Sequence, residues 1–260
     1  MEDFKKLKLN NGHHLAYRQF TAKEEISKNN NAVIFLSGFR SDMESSKAAF
    51  AHNFCENNNI DFIRFDYSGT GNSSGDFLEM TISKWKDNAL TIIEKLYPAK
   101  KVTLIGSSMG GWIMSLLACE IPQKIHSLIG IASAPDFTEK LMWNQLSVAA
   151  KTEIMESGVH HLPTNYCNDP KAQTYPITRA LIEDGRKNNI LESPQILLKC
   201  PITLIHGIKD EDVPYDFSLK LANIFTAKNV EVILQPDSKH RMSEPGDLAL
   251  LQKVLKQHMI

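Results

Sequence analysis

A serine flanked by glycines is the strongest chemical signal in this chain of 260 residues. Gly106-Ser107-Ser108-Met109-Gly110 places a glycine two positions away on each side of Ser108, whereas Ser107 has Ile105 at that distance. The motif lies between a predicted strand and a predicted helix, where a sharp turn strains the central residue and leaves no room for side chains at the glycines. Ser108 is therefore a candidate nucleophile. The backbone N–H of Met109, at the helix N-terminus, is a candidate donor to an oxyanion.

A serine hydroxyl is a weak nucleophile and needs a base. Two later motifs supply candidates, since His206-Gly207-Ile208-Lys209-Asp210 and Asp237-Ser238-Lys239-His240 each follow a predicted strand. The loops after parallel strands share one edge of a sheet, so Ser108, Asp210 and His240 are expected to meet there. In such a triad Ser108 is the nucleophile, His240 the general base and acid, and Asp210 the carboxylate that orients the imidazole.

The acid of this triad has two alternatives in the sequence. Asp212 is only two residues from Asp210, and Asp136 follows another predicted strand. Asp210 is preferred, and the alternative role for Asp136 is to cap the helix that begins just after it.

The elements that must position these residues alternate between short apolar strands and amphipathic helices. This alternation predicts an α/β fold, with a mostly parallel sheet covered by helices on both faces. The chain opens with a predicted antiparallel hairpin, residues 4–9 and 14–20, around the turn signal Asn11-Gly12. The further predicted strands are residues 32–36, 62–65, 102–105, 125–132, 202–205 and 230–234. The predicted helices are residues 45–57, 82–96, 112–118, 217–225 and 248–259.

Residues 137–197 interrupt this rhythm, because they contain no convincing strand. Residues 137–155 and 177–188 have helical spacing, and residues 158–176 look like a loop containing three prolines. The segment is predicted to be a helical lid inserted into a core of residues 1–136 and 198–260. It would lie at the strand ends, where open α/β sheets bind ligands.

Several stretches spread over nearly the whole chain carry a family resemblance. They are residues 36–43, 66–71, 106–111, 175–186, 206–214 and 240–243. On these residues the sequence resembles the serine hydrolases of the α/β-hydrolase fold, in which the triad has the chain order serine, acid, histidine. It is most similar to one branch of this family. That branch contains a mitochondrial acyl-protein thioesterase, which also acts as an acyl-glucuronide esterase, and the bacterial relatives of that enzyme.

The resemblance implies a carboxylic ester or thioester hydrolase that works through an acyl-enzyme and needs no metal or organic cofactor. It also implies a second oxyanion donor, the backbone N–H of Phe39 in the loop after the strand of residues 32–36. Arg40, beside that loop, is a candidate substrate contact. The implied substrate is an acyl ester or thioester, either a small molecule or an S-acylated protein.

Composition excludes several other classes. The chain has 29 basic and 30 acidic residues and a net charge of −1, so it lacks the basic excess typical of nucleic-acid binders. No apolar run approaches the roughly 20 residues that span a bilayer. The first residues lack the apolar stretch of a secretory signal, and a cytoplasmic location is expected. The four cysteines, Cys55, Cys119, Cys167 and Cys200, have no metal-ligand spacing and are expected to be reduced.

Other patterns and functions remain as alternatives. Residues 69–75 resemble a dinucleotide loop, but the glycine spacing is one residue too long and no helix follows, so a structural loop is favoured. Arg179, Glu183 and Arg186 have the spacing of an ion-pair face, with a role in binding an anionic substrate as the alternative. A peptidase or C–C bond hydrolase of the same fold is the enzyme alternative, and a non-catalytic binding protein on this scaffold is the other.

Overall fold

The computed structural model describes residues 4–23, 31–163 and 174–259, with the side chain of Pro163 left out. The described residues form one eight-stranded sheet and two small two-stranded sheets. The strands are β1 (Lys5–Lys8), β2 (His14–Phe20), β3 (Asn31–Leu36), β4 (Phe62–Phe65), β5 (Lys101–Ser107), β6 (Ile125–Ile131), β7 (Val159–Pro163), β8 (Thr174–Thr178), β9 (Ile196–Leu197), β10 (Ile202–Gly207), β11 (Phe225–Thr226) and β12 (Val230–Gln235).

The main sheet has the order β1-β2-β4-β3-β5-β6-β10-β12. The six strands from β4 to β12 in that order run parallel, while β1 and β2 form the antiparallel hairpin predicted at the edge. The carboxyl ends of the parallel strands therefore share one edge of the sheet. The predicted α/β fold class is confirmed.

Helices cover both faces of the sheet. The described α-helices are α1 (Ser46–Asn57), α2 (Ile82–Leu96), α3 (Met109–Glu120), α4 (Val148–Ser157), α5 (Arg179–Lys187), α6 (Asp216–Ile224) and α7 (Pro245–Met259). Strand β3 shows why two layers are needed, because Ile34 and Leu36 belong to one buried cluster and Val33 and Phe35 to the other. The first cluster includes α2, α3 and α6, and the second includes α1 and α7. Alternating side chains of a strand point to opposite faces, so each face needs its own helical layer.

The segment between β6 and β10 differs from the sequence prediction. The prediction that this segment contains no strand is wrong. Strands β7 and β8 pair antiparallel, with His161 opposite Pro176. Proline is tolerated because both strands of a two-stranded ribbon are edge strands. The helix predicted from residue 177 begins at Arg179, where the Thr178 hydroxyl accepts a hydrogen bond from the Leu181 N–H. Cys167 and the middle of the predicted loop lie outside the described residues, and the division into core and lid stays a prediction.

The predicted long helix over residues 137–155 is broken into shorter pieces. A π-helical turn at Thr138–Met142 and a 3-10 turn at Trp143–Gln145 precede α4. The Ser147 hydroxyl caps α4 by accepting a hydrogen bond from the backbone N–H of Ala150.

Asp136 joins the two ends of the inserted segment. Its side chain is fully buried, and its carboxylate accepts hydrogen bonds from the backbone N–H groups of Ile190, at 2.8 Å, and Leu191, at 2.9 Å. The carboxylate therefore fixes the end of the segment to its beginning. The predicted side-chain cap on the following helical turn is wrong, because it is the Asp136 carbonyl that accepts from Glu139 and Lys140 there.

Two further properties bear on the sequence analysis. None of the helices in the described part of the chain is long and apolar enough to span a membrane. Cys55, Cys119 and Cys200 are free thiols, of which Cys119 is exposed and the other two are buried. Burial raises the pKa of the Cys55 and Cys200 thiols, which keeps both in the unreactive protonated form.

The Asp136 contact gives a stability prediction. Asp136→Ala leaves two backbone N–H groups without their acceptor, at a cost of about 1–3 kcal/mol for each buried group. Since 1 kcal/mol shifts the melting temperature of a chain this large by roughly 2–4 °C, thermal unfolding should show a clear drop. The control is Asp87→Ala, because Asp87 is exposed on α2. Equal melting temperatures for the two variants would contradict the role given to Asp136.

Candidate active site

The turn between β5 and α3 is held by close backbone contacts. Ser108 sits between the two elements with a φ of 54°, in the left-handed region that is strained for a residue with a side chain. A Cβ atom on Gly110 would lie 2.0 Å from the carbonyl oxygen of Leu36, and one on Gly106 would lie 2.4 Å from the carbonyl oxygen of Gly110. The two glycines are therefore required by sterics, as the sequence predicted.

Ser108, His240 and Asp210 form a continuous hydrogen-bonded chain. The Nδ1 atom of His240 lies 2.8 Å from Oδ2 of Asp210, and its Nε2 atom lies 3.0 Å from Oγ of Ser108. When the hydrogen of the ring lies on Nδ1, it is shared in a hydrogen bond with the Asp210 carboxylate. Nε2 is then left to accept the proton of the serine hydroxyl. The Asp210 carboxylate is fully buried, whereas the His240 ring is 21% exposed, so a substrate can reach the imidazole but not the acid.

The Asp210 carboxylate is ionised despite its burial. Burial by itself raises the pKa of Asp210, but hydrogen bonds from His206 and His240 outweigh it and hold the pKa well below the usual range. The backbone N–H groups of Asp212, at 3.0 Å, and Val213, at 2.8 Å, donate to the other carboxylate oxygen. A carboxylate with four donors stays charged and keeps its orientation.

The loops that carry Asp210 and His240 are packed together. The N–H of Lys209 donates to the carbonyl oxygen of Ser238 at 3.1 Å, and a Cβ on Gly207 would lie 2.1 Å from that same oxygen. The Ser238 hydroxyl in turn donates to the buried carboxylate of Asp247, at the start of α7. The relative position of acid and histidine is thus set by direct contacts between their loops.

The alternative acids occupy different places. Asp136 is committed to the inserted segment, as described above. Asp212 is exposed, and its carboxylate lies within 4.8 Å of ligand atoms of Asp210 and His240. Within the described part of the chain, Asp210, Asp212 and His240 are the three side chains close enough together to bind a metal ion. Both His240 nitrogens already have partners in Ser108 and Asp210, which favours acid–base chemistry over metal binding.

The loop after β3 lies directly against the serine. A Cβ on Gly38 would be 3.3 Å from Cβ and 3.9 Å from Oγ of Ser108, so the backbone just before Phe39 borders the hydroxyl. Met109 is the first residue of α3, and its N–H therefore has no acceptor within the helix. Both residues border the position where a bound acyl group would react, and their role as oxyanion donors stays a prediction.

The Phe39 side chain is the centre of an aromatic cluster. Its ring centroid lies 5.5–6.1 Å from those of four other aromatic residues, which come from the 3-10 turn Phe77–Glu79, from α2 and from the inserted segment. These are Phe77, Trp85, Phe137 and Tyr175. The cluster packs the loop that borders Ser108 against the buried core, to which Trp85 and Phe137 belong.

Arg40 links the loop after β3 to the inserted segment. Its guanidinium donates to the carbonyl oxygen of Thr174 at 3.0 Å and lies 5.9 Å from the ring centroid of Phe77. With Gly69 and Pro176, among others, Arg40 lines a pocket next to this loop. Its predicted contact with substrate stays a prediction.

The pocket is completed by the loop after β4, which the sequence predicted to be structural. The buried Asp66 carboxylate accepts hydrogen bonds from the N–H groups of Met43 and Asn72, and a Cβ on Gly71 would lie 2.2 Å from it. The carboxylate therefore holds this loop closed beside the site.

The predicted ion-pair face on α5 is present. Arg179 pairs with Glu183 at 2.6 Å, and Arg186 pairs with Glu139 at 2.7 Å while its guanidinium lies over Trp143. These arginines have carboxylate partners, which favours a structural role over anion binding.

Lys47 supports the histidine loop and was missed by the sequence analysis. It is 9% exposed, and its ammonium donates to the carbonyl oxygen of Arg241, next to His240. Burial lowers the pKa of Lys47 to about 8. The available signal was its position, since Lys47 shares the buried face of α1 with Ala51 and Phe54.

Comparison with known proteins places this site in a family. The model of the Hydrolase_4 family, described as serine aminopeptidase S33, matches residues 27–245. The chain is 38% identical over 237 residues to the mitochondrial palmitoyl-protein thioesterase ABHD10 of Bos taurus. The alignment covers 91% of this chain and 74% of the relative. The chain belongs to the α/β-hydrolase family. It is accordingly a hydrolase, as its sequence predicted.

Two solved structures are similar over almost their whole length. A putative hydrolase from Agrobacterium vitis S4 superposes with a TM-score of 0.89 at 31% identity, covering 99% of both chains. The α/β-hydrolase domain-containing protein 10 from mouse has a TM-score of 0.84 at 34% identity, covering 98% of this chain and 97% of that one. The fold of this α/β hydrolase is thus shared by bacterial and mammalian proteins.

The position of the acid gives a kinetic prediction. Asp210→Asn should lower kcat about 10⁴-fold, because the amide stabilises the wrong tautomer of His240. The exposed neighbour provides the control, and Asp212→Asn should keep at least about a tenth of wild-type kcat, since its side chain lies outside the hydrogen-bonded chain. Hydrolysis of a p-nitrophenyl ester measures both. The reverse order of effects would show that Asp212 is the acid.

The tight fit of the loop after β3 gives a second prediction. Gly38→Ala places a methyl group against Ser108 and should lower kcat roughly tenfold by shifting the reacting groups, with little change in melting temperature. Gly246→Ala is the control, because a Cβ there meets no atom within 4 Å. Full activity of the Gly38→Ala enzyme would contradict the close approach of this loop to the nucleophile.

Proposed function

We propose that this hydrolase is a serine esterase that cleaves carboxylic esters and acyl thioesters through an acyl-enzyme on Ser108. The observation that carries the proposal is the hydrogen-bonded chain from Ser108 through His240 to the buried, ionised Asp210. This arrangement supplies a nucleophile, a base and an orienting carboxylate at one edge of the sheet.

In the first half-reaction, Nε2 of His240 takes the proton of the Ser108 hydroxyl as Oγ attacks the acyl carbonyl carbon. The carbonyl oxygen becomes an oxyanion, which the backbone N–H groups of Phe39 and Met109 are proposed to stabilise. The tetrahedral intermediate collapses when the bond to the leaving oxygen or sulfur breaks. The His240 imidazolium then donates its proton to that leaving atom, and the acyl group stays on Ser108.

In the second half-reaction, His240 takes a proton from water, and the resulting hydroxide attacks the acyl-enzyme. Collapse of this intermediate releases the carboxylic acid, and the proton on His240 returns to Oγ of Ser108. Asp210 stabilises the imidazolium in both halves without itself being protonated. No step requires a metal or an organic cofactor.

Acyl thioesters are the favoured substrates within this class, and S-acylated proteins are proposed among them. The partly exposed rings of Phe39, Phe77 and Tyr175, next to the loop that borders Ser108, are proposed to offer apolar surface for an acyl chain. The relatives that share 38% identity with this chain are named palmitoyl-protein thioesterases. Apolar burial of about 0.8 kcal/mol per CH₂ would favour longer acyl chains up to the length the surface accommodates.

An aminopeptidase activity is the alternative suggested by the description of the family. Such an enzyme needs acidic groups to hold a substrate ammonium, and several acids of the inserted segment are engaged elsewhere. Glu153 pairs with His160, Glu183 with Arg179, and Asp184 accepts hydrogen bonds from Ser83 on α2. Aminoacyl substrates are included in the test because the description of the family names an aminopeptidase.

The cytoplasmic location stays a prediction from the sequence. The curated relatives are named as mitochondrial proteins.

A panel of substrates tests the proposed function. It should contain p-nitrophenyl esters and S-acyl peptide thioesters of two to sixteen carbons together with aminoacyl p-nitroanilides, and kcat/KM should be compared across it. We expect thioester and ester cleavage to rise with acyl length and anilide cleavage to be at least a hundredfold slower. Faster cleavage of the aminoacyl anilides would replace the esterase proposal with the peptidase alternative.

Ser108→Ala is the control that ties this activity to the proposed site. A fluorophosphonate probe should label the wild-type protein covalently and leave the Ser108→Ala variant unlabelled, while the neighbouring Ser107→Ala variant keeps its labelling. Ester cleavage that survives in Ser108→Ala would place the active site elsewhere.

A further inference from the structure

His206 is a fully buried histidine that the sequence motif contained but to which no role was given. It lies next to the end of β10, four residues before Asp210. Its Nε2 atom lies 3.1 Å from Oδ2 of Asp210 and 2.9 Å from the carbonyl oxygen of Val213, and its Nδ1 atom lies 2.7 Å from Oγ of Ser218 on α6. All of these polar contacts are made inside the protein.

The contacts fix where the His206 proton lies. Nε2 faces two acceptors, the Asp210 carboxylate and the Val213 carbonyl, so it must carry a hydrogen. The Ser218 hydroxyl can donate to Nδ1, so both ring nitrogens have hydrogen-bond partners when the hydrogen lies on Nε2. His206 is therefore built as a fixed N–H donor directed at the carboxylate.

We infer that His206 is a positioning residue that orients Asp210 for the proton transfers of His240. The inference rests on the triad proposed above. The same oxygen, Oδ2, accepts from both imidazoles, His240 Nδ1 at 2.8 Å and His206 Nε2 at 3.1 Å. His206 acts only through Asp210, by holding the plane of the carboxylate so that Oδ2 faces the catalytic ring.

The shared oxygen also has an electrostatic consequence. A second donor on Oδ2 takes up part of the negative charge that would otherwise stabilise the His240 imidazolium. Without that donor, the carboxylate attracts the protonated imidazole more strongly, and His240 becomes harder to deprotonate. The acid limb of the pH–rate profile should therefore move to higher pH. The value of kcat should fall because Oδ2 loses one of its two donors and is held less firmly toward His240, although the backbone N–H groups of Asp212 and Val213 still hold Oδ1.

Other charges near the histidine loop come from its own loop, the loop after β10, α1 and α7. They are Asp237, Lys239 and Arg241 on the histidine loop, Lys209, Glu211 and Asp212 on the loop after β10, Lys47 on α1, and Glu244 and Asp247 at the start of α7. A substitution at His206 leaves all of them in place. The comparison of variants therefore isolates the contribution of the Nε2–H donor.

The test compares His206→Leu with His206→Gln, which keeps an N–H donor on a side chain of similar reach. Both are assayed with a p-nitrophenyl ester between pH 5 and 9, and rates are divided by the active sites counted with a fluorophosphonate. We expect His206→Leu to lower kcat about 10- to 100-fold, with KM changed less than threefold. The acid limb of kcat/KM should move to higher pH, and His206→Gln should recover most of both effects.

A purely structural role predicts a different outcome. In that case His206→Leu lowers the melting temperature or the number of active sites, but kcat per site and the acid limb match the wild type, which would overturn the inference. A Gln variant that folds yet behaves like Leu would overturn it as well. If His206→Leu does not fold, Ser218→Ala loosens the same imidazole and should produce a smaller shift in the same direction, and no shift there overturns it too.

Failure of the triad itself is a separate result. Activity that survives in His240→Ala would contradict the proposed function, and the role of His206 would fall with it. Loss of activity in Ser108→Ala and His240→Ala, beside wild-type kinetics in His206→Leu, would overturn only the inference about His206.

Discussion

The contact between Gly110 and the end of β3 is the constraint on which the rest of the active site depends. It seats the first turn of α3 against the carbonyl oxygen of Leu36, with no space for even a methyl group between them. Ser108, the proposed nucleophile, lies at the start of that turn, and the loop with Gly38 and Phe39 follows directly from β3. The proposed nucleophile and the proposed oxyanion loop are therefore positioned by the same close approach of two backbones.

The same edge of the sheet also concentrates backbone strain. Among the described residues other than glycine, six have a positive φ, and five of these lie in the loops beyond the carboxyl ends of the strands. Those five are Arg40, Ser108, Ala132, Asp136 and Met242. Strained conformations persist only where surrounding contacts enforce them. Here the buried carboxylates of Asp66, Asp136 and Asp247 supply such contacts by accepting hydrogen bonds from neighbouring loops.

The sequence was informative where structure is determined locally. The turn at Asn11-Gly12 and the strands of alternating or continuous apolar residues depend on near neighbours, and they were predicted to within a few residues. Helix α3 begins at Met109, three residues before the predicted start at Trp112. The prediction was late because Gly110 and Gly111 are poor helix formers. The sequence motif indicated a steric need for Gly110, but not its partner, the backbone of Leu36. It gave no reason for Gly111, which packs against Ser133.

Contacts between distant residues explain the remaining errors. The pairing of β7 with β8 joins His161 to Pro176, and three prolines in the region favoured a loop. Lys47 was missed because its ammonium meets the carbonyl oxygen of Arg241, 194 residues away, and a local pattern does not contain that contact. His206 is only four residues from Asp210, but their contact depends on the fold of the loop between them and on Ser218 of α6, which the motif does not specify. The order of serine, acid and histidine could be inferred, but not the groups that hold them in place.

The Asp136 carboxylate has a consequence for the length of the inserted segment. Because it ties the start of the inserted segment to residues 190 and 191, the chain leaves the sheet and returns to nearly the same point. The entropic cost of closing such an excursion grows only with the logarithm of its length. A change in the length of the segment between these two ends would therefore cost little entropy and leave both end points in place. One buried carboxylate thus separates the length of the inserted segment from the geometry of the sheet edge.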